Sequence, residues 1–363
     1  MRIEKIRSDY YRIPLPVALS DSTHGTMTHF ELVIVRLECD SGHEGLGYTY
    51  TVGSGGAAIQ SLIERDLAPL LEGADPRRIE ELWERMWWRL HYVGRGGLTS
   101  FAISACDIAL WDLRGVQAGE PWWRLLGGSR DRVPAYAGGI DLFFSIDELC
   151  AQAEGFLAKG FRAIKSKVGR ERLAEDVTRI AAVRETIGPD MPLMVDANMR
   201  WSVEQAIRAA RALAPYDITW LEEPTIPDDI AGHARIAREG GLPLATGENL
   251  HTLYEFRHMI AYGAIAFPEP DVANIGGVTA WLKVAHLAQA HNLPVTSHGV
   301  HDLHVHLLAA VPNASYLEAH GFGLEAFIEA PLRIEEGMAL APNRPGHGVA
   351  FDWAALEPHR VKG

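Results

Sequence analysis

The stretch "PLMVDANMRWSVEQAIRAARALAPYDITWLEEP", Pro192–Pro224, decides the fold. It opens on a short apolar run ending in Asp196 and Asn198, passes through helical sequence, and closes on a second apolar run ending in Glu222 and Glu223. Short apolar runs bounded by turn signals read as buried strands, and the segment between them has helical spacing. Strand, helix and strand in that order make one βα unit of a parallel sheet. The unit repeats. Working outward, "VPAYAGG", "RAIKSKV", "PLMVDAN", "ITWLEEP", "LPLATGEN", "AIAFPEP", "LPVTSHG" and "ASYLEAH" are eight strand candidates, with helical sequence such as "TAWLKVAHLAQAHN" in most gaps. Eight units in about 200 residues predict an α/β fold with a closed (β/α) TIM-type barrel rather than an open sheet.

Residues 1–130 have a different texture and are expected to form an α+β capping domain. "FELVIVRLEC" and "GLGYTYT" have strand composition, with "DSG" as a turn between them. In "DPRRIEELWERMWWRL" Asp75 is the expected N-cap and Pro76 the first helical residue, with Ile79, Leu82, Trp83 and Met86 on one face, widened by Trp87 and Trp88. "SFAISACDIALWDLRG" predicts a buried helix closed by Gly115. The polar loops "SDSTHGTMTHF", "TVGSGG" and "YVGRGG" read as turns or as lids. The barrel is expected over 131–332, and 333–363 to pack back on the capping domain.

Composition narrows the function. With 363 residues and 47% hydrophobic content, the chain can build a large core. A net charge of −13 disfavours nucleic acid and anionic membranes as partners. Three scattered cysteines argue against a disulfide framework and for a reducing compartment, and no apolar run approaches bilayer length. A cytoplasmic protein is expected.

In such a barrel, catalytic groups stand at the C-terminal ends of strands. Those ends carry Lys165 and Lys167, Asp196 and Asn198, Glu222 and Glu223, Glu248 and Asn249, Asp271, His298 and Glu318. Asp196, Glu222 and Glu248 are spaced 26 residues apart, about one βα unit. One strand-end acid alone reads equally as a helix cap or a surface charge. Three in register with the barrel period read as hard oxygen ligands, which favour Mg²⁺ with open positions for water and substrate.

Lys165 and Lys167 flank Ser166, so in a strand they share one face. A general-base lysine must fall from about 10.4 to near neutrality, a change of about 4 kcal/mol. A neighbouring ammonium, a divalent cation and burial all push that way. The pair therefore reads as a base with its own tuner. His298 faces it from the opposite side of the barrel, with Asp271 placed to hold one ring nitrogen. His304 and His306 lie in an apolar helical run and read as packed or partly exposed; His301 is open to either reading.

Together, "KSK", "DAN", "EEP", "GEN", Asp271 and His298 resemble the enolase superfamily, and within it the mandelate racemase / muconate lactonizing enzyme family. The resemblance covers nearly the whole chain and implies a modified barrel behind a capping domain. It implies one Mg²⁺ per subunit on Asp196, Glu222 and Glu248. It implies that Lys167 takes an α-proton with Lys165 beside it, through an ene-diolate, and that Asp271–His298 is the second acid/base. It also implies that Glu318 hydrogen-bonds a substrate carboxylate. Asn198, Lys165 and, in the cap loop, His24 are further expected substrate contacts.

Several stretches, among them "YTYTVGSGG", "TGENLHT" and "HGVHDLHVHL", resemble 3,6-anhydro-L-galactonate cycloisomerases. That resemblance implies β-elimination of a ring ether to give 2-keto-3-deoxy-galactonate. An acid-sugar dehydratase of galactonate or galactarate type differs only in the leaving group, and a racemase or epimerase needs the same bases without one. A zinc hydrolase would need His-x-His on the first barrel strand, and "VPAYAGG" has none. The expected partner is a small-molecule sugar acid, with no nucleic acid and no membrane, and the expected assembly is a homo-oligomer.

Overall fold

A computed structural model describes residues 1–23, 25–320 and 323–362, with the side chains of residues 16–18 and 20 outside the description. The chain begins with an antiparallel sheet, β1 (Ile3–Ser20), β2 (Thr26–Cys39) and β3 (Glu44–Thr51), in that spatial order. Strand periodicity splits its side chains between two layers. Val33, Val35 and Leu37 face the helices α1 (Gly56–Leu62), α2 (Ile79–Leu90) and α3 (Leu98–Ala118). Leu32, Ile34, Tyr48 and Tyr50 face the other way, into a core shared with the barrel. Gly47 lets α3 ride directly on β3, since a Cβ there would lie 2.1 Å from the Ala105 carbonyl oxygen.

The barrel runs β4 (Arg132–Gly138), β5 (Ile164–Lys167), β6 (Leu193–Asp196), β7 (Ile218–Glu222), β8 (Leu244–Thr246), β9 (Phe267–Pro268) and β10 (Leu317–Ala319). Neighbouring strands pair in parallel from β4 to β9, and β10 closes the ring on β4. Between them come α4 (Ile146–Ala158), α5 (Leu173–Ile187), α6 (Val203–Leu213), α7 (Ile230–Gly240), α8 (Leu253–Ala261), α9 (Gly277–Ala290) and α10 (His301–Ala310). Outward side chains such as Ile164, Val195 and Leu221 pack on these helices. Inward ones, Tyr136, Ala163, Met194, Trp220 and Ala245, fill the barrel axis below the site. The same alternation turns Lys165, Lys167, Asp196 and Glu222 inward, one step further along each strand.

Two strands fall short of expectation. "AIAFPEP" retains a two-residue strand, and "LPVTSHG" contributes only a Val295–Ala314 bridge and a 2.9 Å bond from the Thr296 amide to the Pro268 carbonyl. Pro268 and Pro294 lack the N–H groups that a longer ladder needs. α2 begins at Ile79, not Pro76, because Asp75 spends its carboxylate on the Arg77 amide (3.0 Å) in a turn that precedes the helix. Its buried stripe is Ile79, Leu82, Met86 and Leu90, and Trp88 is exposed rather than packed. α3 passes through Gly115 and ends at the left-handed Gly119. Gly115 instead admits the backbone of Gly346, whose Cα a Cβ would approach to 2.6 Å.

The last segment forms β11 (Arg333–Glu335) and β12 (Met338–Leu340), an antiparallel pair whose β12 extends the sheet antiparallel to β4. The chain then returns to β1. Arg360 bridges Tyr11, its guanidinium lies 2.6 Å from Asp9 Oδ1, and the Val361 amide bonds the Tyr10 carbonyl at 2.9 Å. Among the described residues, no helix is long and apolar enough to cross a membrane.

Candidate active site

The strand ends converge on a cavity of about 400 Å³ between the barrel mouth and the cap sheet. Lys165, Lys167, Asn198, Glu248, His298 and Glu318 line it from the barrel side; Met27, Tyr50, Leu98 and Phe101 line it from the cap. Asp196 and Glu222 lie just beneath, fully buried under the lysines. The residues singled out along the sequence are thus gathered at one end of the barrel. His24 lies outside the described residues. The cap loop beside it is latched to the turn that follows β6, with Ser22 Oγ donating to the Ala197 carbonyl at 2.8 Å and Thr23 Oγ1 to the Asn198 carbonyl at 2.7 Å.

On one side of the cavity, Lys167 Nζ is 2.5 Å from Asp196 Oδ2. Lys165 Nζ is 2.5 Å from Glu222 Oε1, 2.8 Å from Glu318 Oε1 and over the Tyr136 ring. Among the protein's own groups, these contacts work against the expected tuning of the lysines. Burial alone would lower both pKa values, but Glu222 and Glu318 hold Lys165 well above its ordinary value, and Asp196 raises Lys167 against the opposing effect of Lys165. The neighbouring ammonium acts in the expected direction. The carboxylates outweigh it, because they are closer and more numerous.

On the other side, His298 Nδ1 is 3.0 Å from Asp271 Oδ2, and Nε2 is 3.0 Å from Glu248 Oε2. Burial would lower the imidazole pKa, but Glu248 and Asp271 raise it well above its ordinary value. Asp271 Oδ1 accepts from the Ala273 amide at 2.8 Å. His304 is buried rather than partly exposed. Its Nδ1 donates to the Gly299 carbonyl (2.9 Å) and its Nε2 accepts from the Val272 amide (3.0 Å), bracing the loops that carry His298 and Asp271. His306 is likewise buried, against the His347 carbonyl. His301 lines a neighbouring cavity instead.

The donor set suits a hard divalent cation. Asp196, Glu222, Glu223, Glu248, Glu269, Asp271 and Glu318 crowd against two lysines and His298, while burial keeps His251 and His320 neutral. Burial pushes Glu222 up against the pull of Lys165, and the buried Glu223 Oε2 has no hydrogen-bond partner among the described residues. Such acids take up a proton or share a cation. As they stand, no three His, Cys, Asp or Glu side chains among the described residues form a ready cage. Lys167, Lys165 and His298 sit on the oxygens of Asp196, Glu222 and Glu248. Backbone strain collects at the same ends, with φ of 41° at Asn198, 40° at Glu223 and 25° at Val300.

Three site residues had no signal in the motifs. Tyr136 underlies Lys165 and donates to Glu269 at 3.3 Å. Asp141 accepts the Lys167 amide at 2.9 Å. Tyr50 donates to Asp271 Oδ2 at 2.8 Å. Strand alternation could have put Tyr50 on one face of its sheet, but not against Asp271.

Comparison with known proteins agrees with this architecture. Residues 4–127 match the mandelate racemase / muconate lactonizing enzyme N-terminal domain, and residues 148–355 match the enolase C-terminal domain-like family. A 3,6-anhydro-alpha-L-galactonate cycloisomerase from Streptomyces coelicolor is 59% identical over 354 residues, covering 98% of each chain. A crystal structure of a racemase from Streptomyces coelicolor A3(2) with bound magnesium superposes with a TM-score of 0.97 at 57% identity, covering 99% of this chain and 100% of that one. An L-talarate dehydratase from Polaromonas sp. JS666, complexed with Mg and L-glucarate, gives 0.94 at 36% identity, with 99% and 98% covered. With both of its parts matched and the likeness running end to end, this chain is an enzyme of the enolase superfamily and belongs to its mandelate racemase / muconate lactonizing enzyme family.

Proposed function

We propose that the enzyme is a Mg²⁺-dependent sugar-acid cycloisomerase that opens 3,6-anhydro-L-galactonate to 2-keto-3-deoxy-galactonate. The observation that carries the reading is the two-sided cavity, with Lys167 on one wall and the His298–Asp271 pair on the other. Lys167 takes the C2 hydrogen as a proton. The ring C3–O bond breaks, its electron pair stays on oxygen, and His298 delivers a proton to that oxygen. The enol left between C2 and C3 tautomerises to the ketone. Every atom is retained, so the net change is an isomerisation.

Asp196, Glu222 and Glu248 would hold the cation, each from a different strand. When bound, Mg²⁺ supplies a Lewis acid that compensates charge building on the substrate carboxylate. Lys165 sits between Glu222 and Glu318, where a substrate carboxylate can exchange one carboxylate partner for another. Asn198 at the cavity wall supplies an amide for a sugar hydroxyl.

The cap wall favours this substrate over the hexarates of the runner-up dehydratase reading. A diacid needs a second cationic partner at its far end. Among the described residues, the cap side of the cavity offers Met27, Val52, Leu98 and Phe101 beside the polar Asp21, Tyr50, Thr51 and Ser54, and no lysine or arginine. A largely apolar wall without a cation suits a compact anhydro ring with a single carboxylate. The identity of 59% to a cycloisomerase supports the same choice. We place the enzyme in the cytoplasm, in keeping with three unpaired cysteines of which Cys39 and Cys106 are buried, and propose that it assembles as a homo-oligomer.

A turnover screen of sugar acids with Mg²⁺, read as α-keto acid, tests the assignment. The expected result is a kcat/KM for 3,6-anhydro-L-galactonate at least about 100-fold above galactarate, L-talarate and galactonate, a discrimination that one unmatched polar group can supply. Preference for a hexarate would make the enzyme a dehydratase. Configurational inversion at C2 without keto acid would make it an epimerase.

A further inference from the structure

Tyr50 belongs to the cap sheet, yet its hydroxyl lies inside the barrel's acid/base pair. It donates to Asp271 Oδ2 at 2.8 Å and stands 3.3 Å from His298 Nδ1. The shorter distance puts the phenolic hydrogen on Asp271 and leaves Nδ1 to keep its own. Asp271 Oδ2 then uses both lone pairs, one for Tyr50 and one for His298, while Oδ1 takes the Ala273 amide. Without the hydroxyl, the carboxylate keeps one anchor from its own backbone, and its terminal torsion is intrinsically broad. The fit around the hydroxyl is specific. Gly299, next to His298, has φ of 59°, and a Cβ there would come within 2.3 Å of the Tyr50 oxygen. Two strand positions earlier, Tyr48 fills a similar place in the same layer, and its buried hydroxyl has no hydrogen-bond partner among the described residues. Aromatic packing alone therefore does not account for the Tyr50 contact.

We propose that Tyr50 is a positioning residue for the proton-delivering side of the site: it fixes the Asp271 carboxylate, and through it the His298 ring, so that delivery of the proton needs the cap sheet in place. The assignment rests on the reading of His298 as the proton donor. It makes the cap a contributor to one chemical step, leaving proton abstraction by Lys167 to the barrel alone.

The test is Tyr50→Phe, which keeps the ring and removes the hydroxyl, assayed on whichever sugar acid the wild type turns over best. Product formation is expected to fall about 10-fold, the low end for loss of a group that orients a catalytic ligand. KM and the rate of α-hydrogen exchange in deuterated water should stay within about two-fold. In an Asp271→Asn background, the same change should cost less than about two-fold more, because the intermediary is already impaired. Unchanged product formation, a parallel fall of exchange and elimination, or multiplying losses in the double variant would overturn the assignment. If the wild type turns over no sugar acid, the proposed function fails, and a substrate-free readout still decides Tyr50. In ¹⁵N-histidine spectra, Tyr50→Phe should move the ring-nitrogen resonances that vanish in His298→Asn. Unmoved resonances overturn the proposal.

Discussion

Lys167 Nζ lies 2.5 Å from Asp196 Oδ2, so the group proposed to accept the substrate's proton is ion-paired with a carboxylate proposed to bind the metal. The base and the metal site share one oxygen. The ammonium is the protein's own counter-charge for that carboxylate, and a cation that takes the oxygen removes the partner that raises the lysine's pKa. A lysine in this position can be a stable ion pair in the resting enzyme and a base in the loaded one.

Replacing Lys167 by Ala should lower α-hydrogen exchange by about 10³-fold, within the usual contribution of a positioned base. Magnesium affinity should hold or rise, since the Asp196 oxygen is freed. Deuterium incorporation and titration calorimetry measure the two effects separately. Exchange that survives the substitution would remove Lys167 from the proton-abstracting role.

Chelation should abolish turnover and added Mg²⁺ should restore it. Saturating Mg²⁺ should also raise thermal stability, by about 2.7 kcal/mol at a hundred times Kd. Asp196→Asn and Glu222→Gln should lose turnover and the thermal shift together, because each removes one of three proposed ligands. A full thermal shift in either variant would place the metal elsewhere.

His298→Asn should separate the two faces of the site. The variant is expected to exchange the α-hydrogen at close to the wild-type rate while forming little keto product. Asp271→Asn should show the same pattern more mildly, since it disturbs the ring's orientation without removing it. Loss of exchange with intact metal affinity would make His298 the abstracting base.

The contact between α3 and α9 carries a pH dependence of stability. Buried Asp107 accepts the Thr279 amide at 2.9 Å and its hydroxyl at 2.7 Å, capping α9, whose own N-cap is Gly276. Burial pushes its pKa up to about 7, against the two Thr279 hydrogen bonds, which lower it; Glu80 and Lys283 add smaller, opposing effects. The folded state therefore holds this proton more tightly than the unfolded chain, whose Asp titrates near about 3.9. Its contribution is fully present below about pH 4 and is lost as the pH rises to about 7, by at most about 4 kcal/mol. Asp107→Asn stays neutral, so its stability relative to the wild type should improve between those limits and level off above. Denaturation midpoints across that range measure the difference; curves that run parallel would show that no such penalty exists.

The barrel and most of its site were legible along the chain because both depend on short-range pattern. An apolar run of strand length, a helix and a second run specify a βα unit. Period two then puts Lys165 with Lys167 on one face, and equal unit lengths bring Asp196, Glu222 and Glu248 to the same rim. Where local chemistry is ambiguous, the pattern misled. Asp75 and Pro76 form a turn ahead of α2 rather than its first turn, Trp88 faces solvent, and the seventh strand is a single bridge.

What only the tertiary structure decided is how distant segments meet. Tyr50 and Asp271 are separated by 221 residues and Asp107 and Thr279 by 172, and each pair lies where the cap packs on the barrel. Nothing in either local sequence names its partner, because the choice follows from the relative placement of two layers, each with its own periodicity. The charge state of the lysines is of the same kind. The sequence by itself determined that two ammonium groups stand side by side; the number and nearness of the carboxylates around them, set by four other strand ends, determined that both pKa values are raised rather than lowered. Coulombic energy depends on distances across the barrel, and those exist only once it has closed.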